Sequence, residues 1–160
     1  MQYGKDYDFS RSFFENFQSL FQSIPLPNVF HVGNNENCDF VDTAVHSKNS
    51  YLSSIVTLGS ENVAYSCMIR EDCTNIFNSF YVIKGNQNVY FSSHVFDSSY
   101  KIFYSRYIKN STNIWFSSNL TGCSECLFCD DLQNCSYYIS NTQYEKEEYF
   151  QKKQEILSQK

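Results

Sequence analysis

Basic charge is scarce in this chain. Twelve Lys and Arg stand against 17 Asp and Glu in 160 residues, giving a formal net charge of −5 and an isoelectric point near 5.1. A nucleic-acid binder needs a basic stripe or patch, so that partner class is argued against. No stretch approaches the roughly 18 consecutive apolar residues of a membrane span, and no charged segment followed by an apolar one opens the chain. The expectation is a soluble protein with no membrane span and no secretory leader. Seven Cys, an odd number, point in that context to reduced thiols and a cytoplasmic location. The sequons Asn110-Ser111-Thr112 and Asn119-Leu120-Thr121 then read as corner residues rather than glycosylation sites. No Thr-x-Thr ladder exists, and Thr43, Thr57 and Thr121 are scattered, which excludes a flat ice-binding array.

Aromatics are plentiful, at 18% of the chain, with 13 Tyr and 15 Phe, so a thin structure can bury a large area despite a mean hydropathy of −0.44. They recur with a block of about 12 to 13 residues between positions 35 and 134. Each block carries an Asn or a replacement, then a small or β-branched residue, then aromatics, as in Asn62-Val63-Ala64-Tyr65, Asn88-Val89-Tyr90-Phe91 and Asn113-Ile114-Trp115-Phe116. Two apolar columns line up: Cys38, Ser50, Val63, Ile76, Val89, Ile102, Ile114, Cys126, and about six residues later Ala44, Val56, Ile69, Val82, Val95, Ile108, Leu120, Leu132. Two inward stripes per block imply two short strands per block. Strand alternation also places a third column inside: Phe40, Leu52, Tyr65, Asn78, Phe91, Tyr104, Phe116, Phe128.

A column of small residues from Ser53 through Ser117 to Cys129 fits a sharp bend, and the Asn column with Gly59, Gly85 and Gly122 fits a corner of positive φ. Stacked Asn side chains would hydrogen-bond between blocks. The predicted fold is an all-β solenoid, a right-handed parallel β-helix of about eight coils, roughly 38 Å long at about 4.8 Å per coil. One block per coil is favoured over two because no column alternates with a two-block period. The competing class, a sandwich or barrel, does not keep residue types in register over eight blocks.

Residues 1–33 read as an N-terminal extension with a capping helix, 34–140 as the repeats, and 141–160 as a C-terminal helix or tail. Phe13, Phe17, Leu20, Phe21 and Ile24 share one helical face, with Ser10 or Ser12 as N-cap and Pro25 and Pro27 as terminators. This helix is expected to close the first coil, since an open β-helix end exposes strand edges. A membrane-surface role is disfavoured by the lack of Lys and Arg on its polar face. Near the other end Thr142 and Glu145 form a capping-box pattern. The helix they predict has a thin stripe of Tyr149, Lys153 and Ile156 or Leu157, able to pack on the last coil.

Cys123, Cys126, Cys129 and Cys135 have a spacing that invites a zinc or iron–sulfur assignment. Their columns elsewhere hold Ser, Val and Ile, so packing in a narrow core is preferred, no cofactor is expected, and a structural metal at this end is the alternative. Asp39 with Asp42, and Asp130 with Asp131, form no face of carboxylates with a basic partner, which argues against an enzyme. His31, His46 and His94 share no column, which argues against a histidine-centred site. Two outward columns remain as binding candidates: Tyr51, Phe77, Tyr90, Phe103 and Trp115, and Tyr81, His94 and Tyr107 with Met68. Rings in parallel stacking lie about 5 Å apart, and so many exposed aromatics are unusual on a monomer.

The opening Tyr3-Gly4-Lys5-Asp6-Tyr7-Asp8-Phe9-Ser10-Arg11-Ser12-Phe13-Phe14-Glu15, the Asn/Cys/Tyr-rich blocks and the closing Asn141-Thr142-Gln143-Tyr144-Glu145-Lys146-Glu147-Glu148-Tyr149 resemble a family of candidate-phylum bacterial proteins with Asn-Cys repeats. Its members carry a zinc-ribbon-like segment ahead of the opening motif. Here that segment is absent, Ser12 replaces the usual Pro, and many repeat Cys are Val, Ile or Ser. The resemblance implies a shorter relative or an excised domain and carries no activity or functional residue. The expected role is therefore a non-enzymatic binding or assembly module engaging a protein partner or a second copy, with a carbohydrate-binding or carbohydrate-processing β-helix as the alternative.

Overall fold

A computed structural model describes residues 4–25 and 29–158. Tyr3 of the opening motif and the expected terminator Pro27 lie outside them. Helix α1 (Phe13–Ser23) precedes seventeen strands in one sheet and a second helix, α2 (Lys146–Ser158). The strands form two stacks. In the first, the leading halves of β2 (Glu36–Val45) and β3 (Lys48–Thr57) are followed by β4 (Glu61–Ala64), β6 (Thr74–Phe77), β8 (Gln87–Tyr90), β10 (Tyr100–Phe103), β12 (Thr112–Trp115), β14 (Ser124–Leu127) and β16 (Ser136–Ile139). In the second, β1 (Phe30–Val32) and the trailing halves of β2 and β3 lead to β5 (Cys67–Arg70), β7 (Phe80–Ile83), β9 (Ser93–Phe96), β11 (Arg106–Lys109), β13 (Ser118–Thr121) and β15 (Asp130–Gln133).

All these pairings are parallel, which rules out a sandwich. Their register, Cys38 on Ser50, then Val63, Ile76, Val89, Ile102, Ile114, Cys126 and Tyr138, advances by 12 or 13 residues in eight steps. One block is therefore one coil.

Within a coil the period is three. Cys123, Cys126 and Cys129 are buried and Leu132 packs against the same core, while Glu125, Phe128, Asp131 and Asn134 have φ between 50 and 55°. Each triplet thus runs inward, outward, left-handed corner. The left-handed residue turns the chain before strand alternation can bring the next side chain inside. This corrects the expectation for the third column: Phe40, Leu52, Tyr65, Phe91, Tyr104, Phe116 and Phe128 sit at such corners and are 40 to 75% exposed. The Asn column takes the preceding corner, as expected, with positive φ from Asn37 to Asn113. Its amides form a ladder in which each Nδ2 donates to the next Oδ1, Asn37 to Asn49, Asn62, Asn75 and Asn88, at 2.9 to 3.1 Å.

Four inward columns follow from four triplets, two apolar and two small. The serine column does not only permit a bend: Ser53, Ser66, Ser79, Ser92, Ser105 and Ser117 point into the core. The Ser105 backbone N–H donates to Ser92 Oγ at 3.1 Å while that hydroxyl donates to the Tyr90 carbonyl at 2.8 Å. The pattern repeats from Ser66 on Ser53 to Cys129 on Ser117. In this column each backbone N–H from Ser66 to Cys129 is thus satisfied by the hydroxyl of the coil before it. Ser92→Ala orphans the buried Ser105 N–H, and the expected loss is about 1–3 kcal/mol of stability, measured by urea unfolding, with Ser92→Cys recovering part of it.

The two ends differ from expectation. In α1, Ser12 and Glu15 make the capping box, but none of its residues is buried and Phe13, Phe14, Phe17 and Phe21 stay exposed. The helix does not close the first coil. The three residues of β1 meet β2 at Thr43 to Val45 instead, and among the described residues the leading edge of β2 from Glu36 to Val41 has no strand partner on that side. Thr142 does not cap a helix either. Ser140 and Asn141, both left-handed (φ 49 and 58°), make a two-residue turn that folds β17 (Thr142–Gln143) back antiparallel on β16. The helix starts only at Lys146 and packs on the last coil, with Tyr149 fully buried against Leu127 and Ile139.

Candidate functional site

Two aromatic ladders climb one edge of the solenoid because each coil delivers two consecutive outward positions there. The inner ladder is the predicted column, Tyr51, Phe77, Tyr90, Phe103 and Trp115; the outer is the corner column just described. Where both are complete the rings stack within each ladder: Tyr90 on Phe103 at 5.3 Å, Phe103 on Trp115 at 4.2 Å, Phe91 on Tyr104 at 4.9 Å, Tyr104 on Phe116 at 5.0 Å. Where Ala64 breaks the inner ladder and Asn78 the outer one, the neighbours fill in across the gap. Tyr51, Tyr65, Phe77 and Phe91 then zigzag edge to face at 5.3 to 6.0 Å. The result is an unbroken aromatic line from Phe40 to Phe128.

The inner ladder ends under α2. Next in its column after Trp115 come the buried Leu127 and Ile139, and Trp115 joins the cluster around Tyr149. Lys153 lies 5.9 Å from the Trp115 ring and pairs with Glu125 at 2.9 Å, both side chains mostly shielded. Burial first, and then the Glu125 carboxylate, push the Tyr149 hydroxyl above its ordinary range. The chain's own helix thus packs against the last predicted ladder residue; Tyr51 is exposed, and Phe77, Tyr90, Phe103 and Trp115 are all half-buried.

The other predicted column stands on the next corner. Tyr81 and His94 are 5.5 Å apart and His94 and Tyr107 4.7 Å, close to the spacing expected of stacked coils, and His94 Nδ1 is buried without a hydrogen-bond partner. Between the two corners runs an open groove of about 1020 Å³, walled by Tyr65, Phe91, Tyr104 and Phe116 and floored by the serine column, with Phe80 and Arg106 on its far side. None of the eight predicted residues lines this groove; each is the chain neighbour of a residue that does. The outer ladder was missed by sequence reasoning, although Asn78 in that column was a sign that it faces water.

At the C-terminal end of the core the thiols of Cys123, Cys126 and Cys135 come within 4.8 Å of one another, and Cys129 lies outside that group. Cys126 is pushed up by its hydrogen bond with Cys129 and by burial; Cys135 is pushed up to about 11, chiefly by burial. Among the described residues no second group of three or more His, Cys, Asp or Glu converges in this way, so His31, His46, Asp39, Asp42, Asp130 and Asp131 are not brought into one site. No helix of the described residues is long and apolar enough to cross a membrane. In comparisons with protein-family models, with curated proteins and with solved structures, the chain has no match.

Proposed function

We propose that this chain is a non-enzymatic binding and assembly module that engages a protein surface, its own second copy included, through the aromatic edge and the groove beside it. The observation that carries this reading is the uncovered ladder from Phe40 to Phe116. Contiguous apolar surface of this extent is disfavoured on a lone monomer, and aromatic rings are the side chains that most often anchor interfaces. Stacked rings on a parallel ladder are also stiff, so little entropy is lost when a partner settles on them. The seven free Cys suit a reducing, cytoplasmic compartment.

The triple variant Phe91→Asn, Tyr104→Asn, Phe116→Asn is expected to lose self-association or partner capture by at least about tenfold, from the loss of three apolar anchors. Asn already occupies a corner of that column at Asn78, so the far-UV circular dichroism should not change. Unchanged light scattering together with unchanged pull-down from a lysate refutes the reading.

A second reading, a carbohydrate platform, is favoured by the pairing of a ring wall with hydroxyl side chains such as Ser54 and Ser93 in one open groove. It predicts a sugar-dependent change in the fluorescence of Trp115, the single tryptophan.

A further inference from the structure

We propose that Cys123, Cys126 and Cys135 form a three-thiolate site for a thiophilic d10 cation, Zn2+ or Cu+, at the C-terminal end of the solenoid core. Three thiols meet here because two columns change composition together. The column of Ser99 and Ser111 becomes Cys123 and then Cys135, and the column of Ile102 and Ile114 becomes Cys126, whose unbranched side chain reaches less far across the axis.

The spacing is that of a ligand set. Cys135 Sγ lies 3.3 Å from Cys123 Sγ and 3.9 Å from Cys126 Sγ. Sulfurs at the usual 2.3 Å from zinc stand about 3.8 Å apart at a tetrahedral centre, so only small side-chain adjustments are needed. Soft thiolate donors select Cu+ and Zn2+ over the harder divalent ions.

Hydrogen bonding sets Cys135 apart from an ordinary core cysteine. Cys123 donates to the Thr121 and Leu132 carbonyls, Cys126 to Ser124, and Cys129 to Leu127 and Tyr138. Cys135 has no carbonyl acceptor among the described residues; its hydrogen-bond contacts are the other two thiols. Cys73 provides the internal contrast: it shares the column of Cys123, is fully buried, and has Ser60 and Asn86 above and below it instead of thiols.

Access fits as well. Cys135 is only partly buried, so an ion reaches the cluster from the last coil rather than through the wall. Binding replaces three S–H bonds by three S–metal bonds and releases three protons to solvent, with no change of oxidation state. The cations differ in what completes the shell: Cu+ is satisfied by three sulfurs, whereas Zn2+ takes a fourth ligand, which water can supply on the partly exposed side of Cys135.

The test uses the full chain, stripped of metal and held under a non-thiol reductant. It is titrated separately with Zn2+ and with Cu+ (the latter without oxygen), and bound metal and proton release are measured. The expected result is roughly one equivalent of at least one of the two cations, with protons released and a raised melting temperature. Cys135→Ser keeps the fold, because Ser fills that column in earlier coils, and loses the binding; Cys73→Ser retains it. Co2+ provides a spectroscopic check through its thiolate-to-metal band, present in the wild type and absent from Cys135→Ser. A folded wild type that takes up neither cation, or a Cys135→Ser variant that binds as well as the wild type, overturns the proposal.

Discussion

Ile102→Ala is expected to lower the unfolding free energy by about 2–5 kcal/mol, whereas Leu132→Ala in the last complete coil should cost distinctly less. Ile102 is fully buried and paired in register with Val89 below and Ile114 above. A narrow core with one apolar residue per column and coil has no second layer that could collapse into the hole, so the cavity persists and its penalty is near the upper part of the range. The axial neighbours lose packing at the same time. In a solenoid each coil touches only its neighbours, and stability is a sum of coil terms and nearest-neighbour interfaces. A central gap therefore weakens two interfaces. Leu132 is only partly buried and caps its column from one side, so fraying of the last coil absorbs part of its loss. Urea unfolding followed by far-UV circular dichroism reads both. A loss below about 1 kcal/mol at Ile102, or equal losses at the two positions, contradicts a single-file core.

The register of this fold was legible in the sequence because it depends on one-dimensional information, the distance between like residues. Val63, Ile76 and Val89 announce their stacking by spacing alone, and the coordinates pair them as read. Orientation was less legible. Two-residue alternation places Phe91 inside with Val89, and that inference fails because Phe91 is left-handed, a backbone state that aromatic residues rarely adopt. The sign of a three-residue period was present: the corner Asn88 and the corner Phe91 are three apart, and Cys123, Cys126 and Cys129 step by three. The inward serines had the right position and an incomplete role, since a hydroxyl that accepts from the next coil is visible only once the coils are stacked.

At the ends, local signals were genuine and tertiary competition decided the outcome. Ser12 caps α1 as its sequence indicates, yet nothing in that local signal says where the apolar face goes, and the face is left exposed. The Thr142 capping pattern lost to a hairpin turn at Ser140 and Asn141 because the open edge of β16 offered hydrogen bonds that a helix start does not. For the candidate site the same division holds. Spacing gave the inner ladder and the column of Tyr81, His94 and Tyr107 but put the outer ladder inside, while the packing of α2 on Trp115 depends on Tyr149, the one buried residue of that helix.

Ending the chain after Ser140 is expected to convert discrete particles into head-to-tail rods. In the intact chain β17 pairs with Tyr138 and Ile139 of β16 and α2 packs beside Leu127 and Ile139, so the β16 edge of the C-terminal coil is occupied, while the leading edge of β2 has no strand partner among the described residues. Like ends can meet only by a two-fold contact, which closes on itself. Removal of β17 and α2 bares the edge of β16 together with Leu127 and Ile139, and the two open ends of different copies then match as successive coils do, parallel and in register. Such a contact is heterologous and does not close, so it propagates. Electron microscopy and sedimentation read the outcome: lengths that grow with concentration for the truncated chain, a fixed mass for the intact one. Tyr149→Ala isolates the contribution of the helix. A 13-residue helix is marginal without tertiary packing, and without its buried anchor α2 should detach while β17 remains. Assembly in that variant should be weaker than in the truncation, and the aromatic triple variant combined with the truncation should still form rods, since the end contact does not use the ladder edge. A truncated chain of unchanged mass means that the strand edge of the last coil is not what β17 and α2 protect.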